Sequence, residues 1–325
     1  MRTFRVLAIL VLAGVAAFPQ SYPSAWNYAN PGANFLLGFD WNRLRQSPFG
    51  AVAKQRSGLA DVGFLDRVNQ ALLTLVIDKK SVMDKRRPPA LLILCGNFDL
   101  RAVRRAAVAK GMRPAAYHSV PLMTERGKTG DEDATLALTG EQVLLFGDRR
   151  SVIQAIDRNA PDAPRAFNAA LASAGKLAET HDVWIVAHDF AGLLGGEMGG
   201  ALRIGQDVTA IEAGLSLRDG IDAEAALTAT SDTSAERLAA MLEIVKPQLP
   251  KALQNFGVAS KENVVHLALS VDPQQFTAIV AHLTQRGTAK AIPARSEAPV
   301  KPQKMTIKIY GLDGGTREIP YPASQ

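Results

Sequence analysis

The sequence predicts an α+β protein made of two tandem similar units. Each is expected to be a mostly antiparallel sheet with helices on one face, in the ferredoxin-like manner, and a C-terminal β-hairpin tail follows. Three observations carry this expectation. Strand patterns of period two alternate with helix patterns of period 3.6 along the body of the chain. The order strand–aspartate, hairpin, capped helix, further strands, capped helix occurs twice. A proline-rich stretch then separates the body from a last pair of alternating strands.

Composition sets the frame. The chain has 325 residues, 47% of them hydrophobic and 21% charged, with a formal net charge of +6. A chain this long buries a substantial core over one or two domains. The apolar share excludes a disordered protein. A single cysteine excludes a disulfide framework and a cysteine-based zinc site.

Residues 1–17 read as a signal peptide. Arg2 and Arg5 precede an uncharged run over 6–18, which suits export and is too short to span a bilayer. Val15 and Ala17 supply the small residues for cleavage after Ala17. The mature chain is therefore expected in the periplasm or outside the cell, without a transmembrane segment.

The first unit is placed at 22–160. The stretch 34–40 is a strand ending in Asp40, and a helix over 41–55 is interrupted near Pro48. Leu65, Val68, Leu72 and Leu75 have helical spacing while 71–77 fits a strand, so a short helix running into a strand is expected. A basic loop over 78–89 leads to a buried strand, Ala90–Gly96, that holds Cys95. Asp99 caps a helix whose Leu100 and Val103 face inward. Strands are expected at 115–120, 134–138 and 143–146, and Asp148 caps a helix carrying Val152, Ile153 and Ile156.

The second unit is placed at 161–283. A helical connector over 159–178 sets Phe167, Leu171, Ala174 and Leu177 on one stripe. Residues 182–189 form a strand, followed by a glycine-rich loop at 192–200. A hairpin joins 209–218 to 223–230 across Asp219-Gly220. Thr233 and Glu236 fit a capping box, and Leu238, Met241, Leu242 and Val245 line one face of the helix behind it. The strand 264–271 leads to Asp272-Pro273, a cap followed by proline at the first helical position, with Phe276, Ile279, Val280 and Leu283 as its stripe. Pro293, Pro299 and Pro302 mark a linker over 284–303, and 304–325 is a hairpin turning near Gly314. Residues 284–325 hold seven Lys/Arg and three Asp/Glu, which is all of the +4 left once Arg2 and Arg5 are removed.

Two strand-to-helix junctions, Gly96-Asn97-Phe98-Asp99 and Gly147-Asp148-Arg149-Arg150-Ser151-Val152, stand out together with the tail Ile307-Lys308-Ile309-Tyr310-Gly311-Leu312-Asp313-Gly314-Gly315. In these segments the chain resembles uncharacterised exported bacterial proteins. The resemblance brings with it no activity and no catalytic residue.

Catalytic motifs are incomplete. Arg126-Gly127-Lys128-Thr129 has the end of a phosphate-binding loop but Leu122 where the motif needs glycine. Ser216 lacks the second glycine of a nucleophile elbow. His181 and His188 are seven apart, so on one strand they are expected on opposite faces, which disfavours a joint metal site. No cofactor and no metal are expected. The low-ranking binding candidates are His188 and Asp189, at the start of the glycine-rich loop, and Lys79, Lys80, Lys85, Arg86 and Arg87 in the basic loop. Arg101, Arg104, Arg105 and Lys110 add a second basic group. Such charges suit an envelope protein, an acidic polymer or a lipid surface. Nucleic acid is not expected as a partner, because the destination is extracytoplasmic and few aromatics interleave the charges.

The resulting expectation is an exported, non-enzymatic binding or structural module of the bacterial envelope. The alternatives are an exported hydrolase or metal-dependent enzyme with a site near 189–200, and a peripheral membrane-surface protein using 79–87.

Overall fold

The computed structural model describes residues 24–48, 50, 65–78, 87–125, 133–160, 162–163, 169–189, 207–218, 220–248, 254–276, 306–310 and 316–320. The expected signal peptide, Lys79, Lys80, Lys85, Arg86, the loops at 126–130 and 192–200, and the linker lie outside the described residues.

Twelve strands join into one sheet. They are β1 (Phe35–Asp40), β2 (Val68–Leu75), β3 (Ala90–Gly96), β4 (Arg113–Tyr117), β5 (Val120–Thr124), β6 (Ala134–Leu138), β7 (Val143–Asp148), β8 (Val183–His188), β9 (Val208–Ser216), β10 (Ile221–Ala229), β11 (Gly257–Lys261) and β12 (Val264–Val271). Across the sheet the order is β11-β12-β10-β9-β8-β1-β2-β3-β7-β6-β5-β4, and every pairing is antiparallel. The helices are α1 (Trp41–Leu44), α2 (Leu100–Ala109), α3 (Arg149–Arg158), α4 (Ala169–Thr180) and α5 (Asp232–Val245).

The sheet runs unbroken through both halves, because β1 pairs with β8. Leu36 stands opposite Val186, and Gly38 opposite Trp184. Each half opens with a three-stranded meander, β1-β2-β3 and β8-β9-β10, which differs from the β-α-β-β-α-β order of a ferredoxin-like unit.

Helices cover both faces, which corrects the expectation of one covered face. Neighbouring residues of a strand point to opposite sides, and in the central strands both parities are apolar. Leu144 and Leu145 are both fully buried. On one face Leu36, Ile93, Leu145 and Trp184 pack with Trp26, with Val152 and Ala155 of α3, and with Leu171 and Ala174 of α4. On the other, Phe39, Leu94 and Leu144 pack with Trp41 and Leu44 of α1, Phe98, and Leu100 and Val103 of α2. Leu238 of α5 packs with Val208, Ala229 and Val265.

Aspartates set the helix starts. Asp99 Oδ1 accepts from the Arg101 and Ala102 N–H groups at 3.0 and 3.1 Å. These bonds, the one from Ala102 first, hold its carboxyl below the usual range. Asp148 accepts from Ser151 N–H at 2.8 Å, and its other oxygen accepts from Ala90 N–H at 2.8 Å, tying α3 to β3. Asp272 Oδ1 accepts from both Gln274 and Gln275 N–H at 2.9 Å. For α5 the cap is Ser231, whose Oγ accepts from Ser234 N–H at 3.2 Å, not Thr233.

Two strand expectations change. The segment 115–120 is no single strand: the chain reverses at His118 and Ser119, with φ 44° and 67°, to give the β4–β5 hairpin. A second reversal, with Glu262 at φ 54°, adds β11 beside β12. The outermost strands are guarded by Arg113 and Pro114 on β4 and by Lys261 on β11.

The stretch Leu283–Gln325 is a separate compact unit. It contains the antiparallel pair β13 (Thr306–Tyr310) and β14 (Thr316–Pro320), with Thr306 opposite Pro320.

Candidate functional site: an apolar groove over the sheet

Strand parity in the second half produces a groove. Odd-numbered residues of β1, β8, β9, β10 and β12 point to the face that also carries α5. They include Leu37, Ile185, Ala213, Leu215, Ala225 and Leu267, and the register places them in adjoining rows. Leu242 of α5 and Phe256 complete the lining of an open groove of about 530 Å³. Small residues explain the depth. Ala213, Ala223 and Ala225 stand where larger side chains would fill the space between α5 and the rest of the face. Depth and an apolar lining suit a ligand without charge or hydrogen-bonding groups along most of its length.

On the opposite face β9 and β10 present Glu212 and Glu224, beside the apolar Leu36, Trp184 and Val186 of β1 and β8. His181 precedes β8 and folds over Gly214, where a Cβ would overlap its ring. Its Nε2 lies 3.2 Å from Glu224 Oε1, and its Nδ1 is 2.8 Å from Thr180 Oγ1. His188, at the end of β8, has its Nε2 3.3 Å from Glu212 Oε1. Both histidines therefore stand on the face that carries Glu212 and Glu224. The expected opposition fails because His181 lies before the strand begins, where the parity rule does not apply. They engage different carboxylates.

Ser173 of α4 donates its hydroxyl to the same Glu212 oxygen at 2.7 Å. The carboxylate thus sits between serine and imidazole. The bond from Ser173 ties α4 to β9 of the sheet. Asp189 is exposed with φ 56°.

The other sequence candidates are scattered. Arg87 is exposed in the coil before β3. Arg101, Arg104, Arg105 and Lys110 occupy the solvent side of α2 or its end. Cys95 is half-buried on β3 beside the first core, and burial pushes its thiol up to about 11. The thiolate is then scarce at neutral pH, and the residue packs as a small apolar group. Sequence reasoning missed the groove. Its signal was the run of alanines at alternate positions of two adjacent strands, which reads as weak strand pattern until register brings the residues side by side.

Comparison with known proteins bears on the fold. No family model matches the chain, and no curated protein sequence does. Among solved structures it is similar to TP0453. Crystal form I aligns with a TM-score of 0.51 at 11% identity, covering 81% of this chain and 99% of that one. Form IV gives 0.51 at 10% identity over 78% and 95%, and form III 0.50 at 10% over 79% and 97%. The likeness is one of fold. It supports a mixed α+β chain built on a mostly antiparallel sheet. Among the described residues no helix is long and apolar enough to cross a membrane.

Proposed function

We propose that this chain is an exported, non-enzymatic binding module of the bacterial envelope, and that its groove holds a single hydrocarbon chain. The observation that carries the reading is the lining. Aliphatic side chains from five strands form the floor, and Leu242 and Phe256 the wall. The volume of this open groove lies within the roughly 300–1,000 Å³ typical of ligand sites. Export is supported by the charged, then apolar, then small-residue order of residues 1–17. The same reading takes the halves as tandem copies. In it β1-β2-β3, α2, β7 and α3 correspond to β8-β9-β10, α5, β12 and the helical turn at 273–276, with β4–β5 as an insertion and 304–325 as a tethered hairpin.

Titration with cis-parinaric acid tests the groove. A saturable rise in fluorescence is expected. Ala225→Trp, which puts an indole on the floor, should weaken binding at least about tenfold, the equivalent of two methylenes left in water. Absence of saturation, or unchanged affinity in the variant, defeats the reading. Export is tested separately, by fractionating cells and sequencing the N-terminus of the product. The expected first residue is Phe18, and full-length cytoplasmic protein would overturn it.

A further inference from the structure

A second cavity, of about 650 Å³, lies among Tyr28, the β4–β5 turn and the C-terminal end of α3. We propose that it binds a neutral polyhydroxyl ligand, one or two sugar rings, through Asp157, Asn159 and Thr139. The inference is independent of the apolar groove and shares no residue with it.

The argument begins with proton bookkeeping. Thr139 donates its hydroxyl to Val143 O at 2.7 Å, so its oxygen offers only lone pairs to the cavity. Asn159 donates Nδ2–H to the Tyr28 hydroxyl at 2.7 Å, which leaves its carbonyl as an acceptor. Asp157 accepts from Tyr117 through Oδ2 at 3.2 Å. Its Oδ1 has His118 Nε2 4.0 Å away. Three acceptors thus converge, with the Tyr28 O–H and the His118 imidazole as donors. A ligand rich in hydroxyl donors matches this set.

Charge narrows the class. The Asp157 carboxylate repels anions. The Thr139 and Asn159 acceptors beside it call for hydrogen-bond donors, which a polyhydroxyl ligand supplies and a quaternary cation does not. Val120 and Ile156 supply apolar wall for the C–H side of a sugar ring. Desolvation first, then the Asp157 carboxylate, raises the Tyr117 phenol, which therefore stays protonated as the donor that fixes Asp157.

The backbone gives a second line of argument. A two-residue turn with both φ positive normally carries Asn-Gly. Here it carries His118 and Ser119, at φ 44° and 67°. Left-handed backbone is uncommon outside glycine, and two such residues in succession point to a use for the side chain they present. It sets the His118 ring edge-on against Tyr117, with centroids 4.2 Å apart, at the rim of the cavity.

Saturation-transfer NMR on the intact mature chain, with glucose, galactose and N-acetylglucosamine as separate probes and choline as the cationic control, tests the site. Transfer to at least one sugar is expected, with millimolar affinity. Asp157→Ala should weaken it at least about tenfold, the loss of a hydrogen bond to a charged group. Thr139→Val keeps the side-chain shape and should also weaken it. His118→Gly relaxes the turn, so it should raise Tm while reducing transfer. A purely structural turn would give the first effect without the second. No transfer to any of the three sugars, transfer unchanged in Asp157→Ala and Thr139→Val, or preference for choline overturns the proposal.

Discussion

Asp182→Ala is expected to destabilise the protein by about 2–3 kcal/mol, the cost of leaving a buried backbone donor without its charged acceptor. The Asp182 side chain is fully buried. Its Oδ2 accepts from the Leu217 N–H at 2.8 Å, and its Oδ1 accepts from Arg218 Nε at 3.3 Å. Its own N–H donates to Leu215 O, and its carbonyl accepts from Asp40 N–H. One residue therefore fastens the entry of β8 to the end of β9 and to the end of β1. Alanine leaves the Leu217 N–H buried without its acceptor. Asp182→Asn keeps an oxygen for that N–H and should cost about half as much. Arg218 is half-exposed, so Arg218→Ala should cost less than about 1 kcal/mol. Urea unfolding of the three variants checks the ranking. Equal losses for Asp182→Ala and Arg218→Ala would show that the ion pair matters and the backbone bond does not.

Gly38→Val should have an effect of similar size, through shape alone. The Trp184 indole lies across Gly38, and any Cβ there would overlap its ring. Trp26 packs against the same indole, with centroids 5.4 Å apart, so the ring has little room to move. Valine at Gly38 forces overpacking at the join between the halves, and a loss of about 3 kcal/mol or more is expected. Trp184→Ala alone opens a cavity and should cost about 3–5 kcal/mol. The double variant should cost clearly less than the sum, because the second change vacates the space that the first one needs. Thermal unfolding followed by near-ultraviolet circular dichroism measures all three. Strict additivity would mean that Gly38 and Trp184 do not share that space.

Local signals were legible in the sequence and non-local ones were not. Aspartates followed by apolar periodicity identified the starts of α2 and α3, because capping acts within four residues. Ala90–Gly96 and Val264–Val271 read as strands over their observed bounds, each being a run of apolar residues between turn signals. The His118-Ser119 reversal was hidden because the pair is not the Asn-Gly or Asp-Gly signature of such a turn. The Ser231 cap was hidden by a rival motif two residues on. The β1–β8 pairing left no local trace, since each strand looks the same whichever partner it takes. That pairing decides the rest: it merges the units into one sheet and sets Leu37 in the same row as Ile185. The groove therefore could not be read from composition, although residues of its floor such as Ile185 and Leu267 were visible as apolar strand positions.

The position of β1 also sets an order of events during synthesis. β1 finds β2 early, since the two are close in the chain, but its other edge is satisfied only by β8, from the second half. Until β8 has been made, Phe35, Leu36 and Leu37 present an open, apolar strand edge, the kind of surface that pairs with the wrong chain. The high contact order of this join makes it form later than the local β1–β2 pairing. A chain stopped before β8 is thus expected to aggregate more readily than the finished molecule.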